Sequence, residues 1–476
     1  MATLSAEAKD QKLVLKWEQH WPTYEVGGTC NFGSQNFFVG DVDNDGISEL
    51  ITSGLTYNGS YTDELEAPFR IWNWNGQNFT LEASKNWPGT LHTIYAADLN
   101  GDSKLEIISG TNFRNGTNSI RIWIWDNKDL ALLASYDGIH ANSIFVRDLD
   151  YDSKPEILAA GAIDKNETKF AQLSILRLEE NNLFLVESFE WRTDGDASAN
   201  SVFADDLDND GVVEIVTGGY DNGLTNSSGQ LHIWQWSGQK LQMKTNEQWQ
   251  MMGGVYGVTV TGAPMGNTLV ENLKVGDVDS DGTPEIVTGG FTYDGEKVIA
   301  QLRIWNWYAS VLTLEKSYDW FTKDINDISA ISLNDVNADG HIEIVTSGGS
   351  AVYGGWNKAS NPENAFLRIW SWDGKILKLD NQEEWVVGEG TYAWNVATGD
   401  INKDGITEII TVGCMYVKTL CDPDLRIWYL QNAPSYFSLS TAYVIVSSTI
   451  LLGVITGIVL YVFIRRRRTP KIANAF

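Results

Sequence analysis

Cysteine is scarce in this 476-residue chain, with three in all, and histidine numbers only five. So few cysteines exclude a disulfide-framed fold, in which bridges stand in for a hydrophobic core. Cys30 stands apart, whereas Cys414 and Cys421 fall close together near the end. At that spacing a hairpin bridge and two buried thiols are both compatible with the sequence. The histidines are scattered singly, and there is no His-Glu-x-x-His, Gly-x-Ser-x-Gly or Gly-x-x-x-x-Gly-Lys-Ser/Thr. The motifs of zinc peptidases, serine hydrolases and nucleotide-phosphate binding are therefore missing, and an enzyme is not expected. Basic residues are also a minority, 34 against 62 acidic ones, for a formal charge of −28. Contacts to a phosphate backbone need basic surface, so nucleic acid is excluded as a partner.

The acidic residues are not spread evenly. Seven times the chain writes one nine-residue phrase, first as Asp41-Val-Asp-Asn-Asp-Gly-Ile-Ser-Glu49, and its copies begin at Asp41, Asp98, Asp148, Asp206, Asp277, Asp335 and Asp400. Of the 62 acids, 25 occupy positions 1, 3, 5 and 9 of these copies. A hard cation such as Ca²⁺ takes six to eight oxygens at about 2.3–2.6 Å, so a loop must turn several carboxylates and a carbonyl onto one point. Positions 1, 3 and 5 supply side-chain oxygens, position 7 its backbone carbonyl, and Glu at position 9 closes the shell. Gly at position 6 permits the sharp turn.

The copies differ in quality. Loop one (Asp41, Asp43, Asp45, the Ile47 carbonyl, Glu49), loop four (Asp206, Asp208, Asp210, the Val212 carbonyl, Glu214) and loop five (Asp277, Asp279, Asp281, the Thr283 carbonyl, Glu285) have four carboxylates and a Gly at position 6. These three are expected to bind best. In loop six (Asp335, Asn337, Asp339, the His341 carbonyl, Glu343) and loop seven (Asp400, Asn402, Asp404, the Ile406 carbonyl, Glu408) an Asn replaces one charge, keeping an oxygen at lower affinity. Loop two (Asp98, Asn100, Asp102, Glu106) and loop three (Asp148, Asp150, Asp152, Glu156) place Ser103 and Ser153 where Gly is wanted, and are the weakest candidates. Up to seven Ca²⁺ ions are expected.

β-Branched runs such as Ile215-Val-Thr and Ile286-Val-Thr follow the loops and suit strands. A second phrase recurs further on, as in Arg70-Ile-Trp-Asn-Trp74, Arg368-Ile-Trp-Ser-Trp372 and Arg426-Ile-Trp428, and its period of two marks another strand. Blade three departs from it with Leu173-Ser-Ile-Leu-Arg-Leu178. A further segment ending in Trp, such as 81–87 or 312–320, closes each unit. The period of about 60 residues is one four-stranded blade, and most of the 20 Trp are assigned to blade packing. The last repeat lacks its fourth strand, while 13–21 carries that pattern ahead of any loop. The N-terminal strand is thus expected to complete the last blade.

These repeats resemble the FG-GAP, or VCBS-type, repeats that build the seven-bladed β-propeller of integrin α chains. The resemblance covers most of the chain before residue 432, although the further integrin modules have no room here. It implies an all-β propeller over 11–432 and a role in adhesion or recognition of an extracellular protein or glycan. A propeller-type polysaccharide lyase or hydrolase is the rival that the same repeats allow.

After a linker at 433–438, the segment 439–464 holds 26 residues without a charge, about 39 Å as a helix and enough to cross a bilayer. Four arginines open the 465–476 tail, which the positive-inside rule places in the cytoplasm with the propeller outside. The first ten residues carry no apolar signal region. An export signal is therefore expected upstream or already removed, the rival being a tail-anchored protein with a cytosolic propeller. If the acidic loops stiffen one face, the opposite face is left for recognition. The long Gly-rich segments there place Tyr256, Tyr353 and Trp356 as candidate ligand contacts.

Overall fold

The computed structural model describes residues 11–20, 37–53, 66–112, 117–126, 129–193, 195–222, 227–249, 268–293, 297–323, 325–351, 364–417 and 420–432. By its contacts the chain divides into Leu13–Leu430 and a second unit, Met1–Lys12 with Gln431–Phe476, of which only 11, 12, 431 and 432 are described. Among the described residues no helix is long and apolar enough to cross a membrane, and 439–464 lies outside them.

The described residues form 28 strands in seven four-stranded blades. The first strand, β1 (Gln11–His20), is followed by blade one: β2 (Phe37–Gly40), β3 (Glu49–Ser53), β4 (Glu66–Trp74) and β5 (Phe79–Pro88). Blade two holds β6 (Thr90–Ala97), β7 (Glu106–Asn112), β8 (Asn118–Trp125) and β9 (Leu130–Asp137). Blade three holds β10 (Ala141–Arg147), β11 (Glu156–Lys165), β12 (Thr168–Glu179) and β13 (Asn182–Trp191). Blade four holds β14 (Asp196–Asp205), β15 (Glu214–Asn222), β16 (Ser227–Trp236) and β17 (Leu241–Trp249). Blade five holds β18 (Thr268–Gly276), β19 (Glu285–Tyr293), β20 (Val298–Tyr308) and β21 (Val311–Trp320). Blade six holds β22 (Ile325–Asn334), β23 (Glu343–Ala351), β24 (Asn364–Trp372) and β25 (Leu377–Trp385). Blade seven holds β26 (Gly390–Gly399), β27 (Glu408–Val417) and β28 (Leu420–Asn432), with β1 hydrogen-bonded to β28 as its fourth strand. The expected closure by the N-terminal segment is therefore the observed one; Trp21 lies outside the described residues.

Each innermost strand touches the next around the ring, and β26 of the last blade touches β2 of the first. Apolar side chains of the second strands fill the core, with Ile51, Ile107, Ile157, Ile215, Ile286, Ile344 and Ile409 all buried.

The recurring Arg-Ile-Trp phrase has a specific structural use. In six blades its Trp indole N–H donates to a hydroxyl one strand away: Trp72 to Thr52 (2.9 Å), Trp123 to Ser109 (2.9 Å), Trp234 to Thr217 (2.9 Å), Trp305 to Thr288 (3.1 Å), Trp370 to Thr346 (3.1 Å) and Trp428 to Thr411 (3.0 Å). Blade three has buried Leu176 and Ala159 at these two places, so donor and acceptor are missing together. The same Trp packs on the closing Trp of the preceding blade, at 4.8 Å for Trp87–Trp123, 5.3 Å for Trp320–Trp370 and 5.1 Å for Trp385–Trp428. The Arg of the phrase lies over that preceding Trp, with Arg121 4.8 Å from Trp87, Arg368 4.8 Å from Trp320 and Arg426 5.1 Å from Trp385. Sequence reading assigns these Trp to packing; their place is the joint between blades.

Candidate metal centres

The acidic loops join the innermost strand of each blade to its second strand, so all seven lie at one end of the ring. Their backbone is common to all seven. The position 6 N–H donates to the position 1 carboxylate, from Gly46 to Asp41 (2.8 Å), Gly282 to Asp277 (3.0 Å) and, at the substituted copies, Ser103 to Asp98 (2.9 Å) and Ser153 to Asp148 (2.8 Å). Position 6 is left-handed throughout, from Ser153 at φ +68° to Gly46 at +95°. Loops two and three thus keep the turn with Ser, at the strain a Cβ brings there. Position 4 is left-handed as well, in Asn44, Tyr151, Asn209, Ser280, Ala338 and Lys403, a requirement that sequence reading misses. Ile47, Val212 and Ile406 at position 7 are exposed, in keeping with a role for the main chain and not the side chain there.

Glu at position 9 is buried in every loop, and one of its oxygens is always committed. Its Oε2 accepts the N–H of position 2, from Val42 to Glu49 (2.9 Å), Leu99 to Glu106 (2.9 Å), Val278 to Glu285 (3.0 Å) and Ile401 to Glu408 (3.2 Å) among others. What the other oxygen, Oε1, meets separates the loops. In loops one and five, Glu49 Oε1 and Glu285 Oε1 are buried without a hydrogen-bond partner, as are Asp41 Oδ1 and Asp277 Oδ1 beside them. Burial and the neighbouring aspartates push both glutamates up to about 8, the response of a carboxylate lacking a countercharge. In loop four Gln235 Nε2 donates to Glu214 Oε1 (2.7 Å), while Asp208 Oδ1 is buried without a partner.

Two loops hold a cation of the protein's own against the position 9 glutamate, while Lys403 of loop seven lies 4.0 Å from Asp41 in loop one. Arg177, on β12, reaches into loop three, 3.4 Å from both Asp150 and Asp152 and bonded to Glu156. Lys16, on the closing strand β1, lies 2.6 Å from Glu408 and 3.9 Å from Asp404 in loop seven. In loops two, six and seven the position 3 Asn turns its amide toward Glu, with Asn100 Nδ2 2.6 Å from Glu106, Asn402 Nδ2 3.1 Å from Glu408, and Asn337 bonded to Glu343. Replacing an aspartate thus supplies a donor to the remaining carboxylate as well as removing a charge.

Ligand atoms converge accordingly. Asp41, Asp43 and Glu49 in loop one, Asp148, Asp150 and Glu156 in loop three, Asp206, Asp208 and Asp210 in loop four, and Asp277, Asp279 and Glu285 in loop five each bring their oxygens within 4.8 Å of one another. In loops two, six and seven, where position 3 is Asn, no three carboxylates converge in this way among the described residues. An all-oxygen donor set suits a hard divalent cation, and the orphaned buried oxygens of loops one, four and five fit one. Loop three gathers its carboxylates around Arg177 instead. Sequence reading ranks loops one, four and five first, and misses Arg177, whose signal is a lone Arg where other blades have Asn73, Ile124, Gln235, Asn306 or Ser371.

Tyr256, Tyr353 and Trp356 lie outside the described residues. Of the cysteines, Cys414 is buried and its sulfur accepts the Trp394 indole N–H at 3.4 Å. The register sets Cys414 opposite Pro423 and Cys421 opposite Tyr416, a diagonal and not a direct cross-strand pair.

A family profile described as FG-GAP-like repeat matches residues 335–411, from loop six into the second strand of blade seven. The seven-bladed ring agrees with such repeats throughout. A search of curated proteins returned no match to the chain.

Proposed function

We propose that this chain is a calcium-stabilised recognition propeller, held at the outer cell surface by the 439–464 segment and binding an extracellular protein or glycan at the end of the ring opposite the acidic loops. Resemblance to integrin α propellers supports the adhesive reading, and the apolar 439–464 segment followed by four arginines supports the anchor. The observation that carries the calcium reading is the orphaned Oε1 of Glu49 and of Glu285, each facing acidic neighbours in a loop of oxygen donors. A bound cation offsets the repulsion among those carboxylates. Binding is proposed over catalysis because no catalytic signature accompanies the repeats. Release of product from a polysaccharide incubated with the protein would reverse that choice.

Calcium that binds only the folded chain stabilises it by mass action, by about 2.7 kcal/mol at a hundredfold excess over Kd. The full-length protein should therefore melt at a higher temperature in millimolar Ca²⁺ than in EDTA. Asp277→Ala should remove more of that increment than Asn100→Ala. Superimposable melting curves in Ca²⁺ and EDTA would sink the calcium reading.

A further inference from the structure

The innermost strands share a feature that the repeat pattern does not announce. Five carry a β-bulge six residues before the acidic loop, where the register skips one residue, His92 in β6, Asn142 in β10, Asn200 in β14, Glu271 in β18 and Ser329 in β22, and in β26 the register likewise shifts between Tyr392 and Asn395. A bulge re-aims the extra side chain and is over-represented beside functional sites. At about 3.3 Å per residue the bulges lie about 20 Å from the loops, toward the other end of the ring. Four of the five re-aimed side chains, His92, Asn142, Asn200 and Glu271, line one cavity of about 290 Å³, joined by His140, Lys169, Ser198 and Tyr220.

The lining is polar and only partly self-satisfied. Asn142 Nδ2 donates to Ser198 Oγ (3.0 Å) and to the Ala199 carbonyl (3.1 Å), and Asn200 Nδ2 donates to the Val270 carbonyl (3.0 Å), so the amides tie adjacent blades and hold the cavity's shape. His92 bonds Thr90 at 3.0 Å, and its ring stands edge-on to His140 with centroids 5.0 Å apart. Glu271 and Lys169 have no side-chain hydrogen bond or ion pair among the described residues. Burial pushes His140 down to about 4, so both its nitrogens are usable as one donor and one acceptor at neutral pH. Burial and Asp327 push Glu271 up to about 7, so it too can donate or accept.

We propose that this axial cavity binds a single neutral glycosyl unit, its hydroxyls hydrogen-bonded by the bulged residues together with His140 and Lys169. Four observations carry the assignment. The cavity is at the small end of ligand pockets, which begin at about 300 Å³, and admits one ring. Donors and acceptors are mixed around it, matching hydroxyl groups that do both. Its lining holds one basic and one acidic side chain, Lys169 and Glu271, and no cluster of like charge that would select an ionic ligand. Ala162 is its one aliphatic side chain, which disfavours an apolar ligand. The proposal deepens the recognition reading above and rests on it.

The test is saturation-transfer NMR of the full-length protein with glucose, galactose, mannose and N-acetylglucosamine, each at millimolar concentration. At least one should show transfer, with an affinity that does not change as salt is raised, since a neutral ligand forms no screened charge pair. Glu271→Gln and His140→Ala should each weaken it about tenfold, the loss of one good hydrogen bond, without moving the calcium-dependent melting increment. Should His140→Ala unfold the chain, His140→Gln and Lys169→Met report on the same cavity. Absence of transfer from all four sugars while Ca²⁺ still raises the melting temperature would overturn the cavity assignment and leave the metal reading standing. Transfer that survives both variants would overturn it too, placing sugar recognition elsewhere on the molecule. A steep fall of affinity with salt would overturn the neutral class of ligand.

Discussion

At the scale of single residues, the metal loops show how one atom can sort seven near-identical sequences. The free oxygen of the position 9 glutamate meets nothing in loops one and five, a side-chain amide in loops two, four and six, Arg177 in loop three, and both Lys16 and an amide in loop seven. Aspartates at positions 1, 3 and 5 are legible because their spacing is local. Arg177 is not legible in that way, because only the pairing of Ile157 with Leu176 brings it beside Glu156. A guanidinium in the metal's place carries a consequence. Arg177→Gln leaves Glu156 and the aspartates of loop three unneutralised, so it should destabilise the protein by about 3 kcal/mol in EDTA. In Ca²⁺ much of that loss should be recovered, so the melting increment on adding calcium becomes larger than in wild type. Glu285→Gln should shrink the same increment. An unchanged increment in Arg177→Gln, measured by calorimetry with and without EDTA, would mean that loop three binds no cation even when its own is removed.

At the scale of the element, the third strand of each blade works as a joint. Its Trp is bonded inward to a hydroxyl of the second strand and stacked outward on the preceding blade, while its Arg covers that neighbour's Trp. The strand itself is legible from its alternation, and so is its aromatic content. Which surface the aromatics face is not, since alternation names two sides of a sheet without naming the neighbour. Blade three is informative because Trp and Thr vanish together, as a buried hydroxyl without its donor is costly. Trp370→Phe should therefore cost about 1–3 kcal/mol by stranding the Thr346 hydroxyl, and Thr346→Val a similar amount by stranding the indole N–H. The double variant should cost clearly less than the two added together. Additive losses in urea unfolding would show that packing, and not the hydrogen bond, conserves the pair within this chain.

At the scale of the whole molecule, counting repeats gives the number of blades and the missing strand, because both are properties of the sequence order. The ring of bulges is not countable in that way: it depends on where each innermost strand slips against its neighbour, and His92, Asn142, Asn200 and Glu271 are of three residue types, with no common one to flag them. Closure, by contrast, rests on a few contacts that can be removed at will. The closing strand β1 pairs with β28, places Glu18 2.8 Å from Arg426, sets Lys16 into loop seven, and packs Trp17 against Trp74 (5.5 Å) and Phe79 (5.2 Å) of blade one. One strand thereby joins the last blade to the first and supplies the charge that loop seven otherwise lacks. Removing residues 1–22 should expose the edge of β28, strip Glu408 of its cation and open the seam between blades seven and one, and an unpaired edge of that kind recruits other chains. The truncated protein should aggregate, seen as a shift to high mass in size-exclusion chromatography with light scattering. Lys16→Met separates the two contributions, because it keeps the strand and removes the charge. It should stay monomeric with a lower melting temperature in EDTA, and recover in Ca²⁺ if loop seven then takes the ion. A monomeric truncation with unchanged melting would mean that the ring holds without its closing strand, and the stability of the propeller would have to be sought in the six blades that the chain completes by itself.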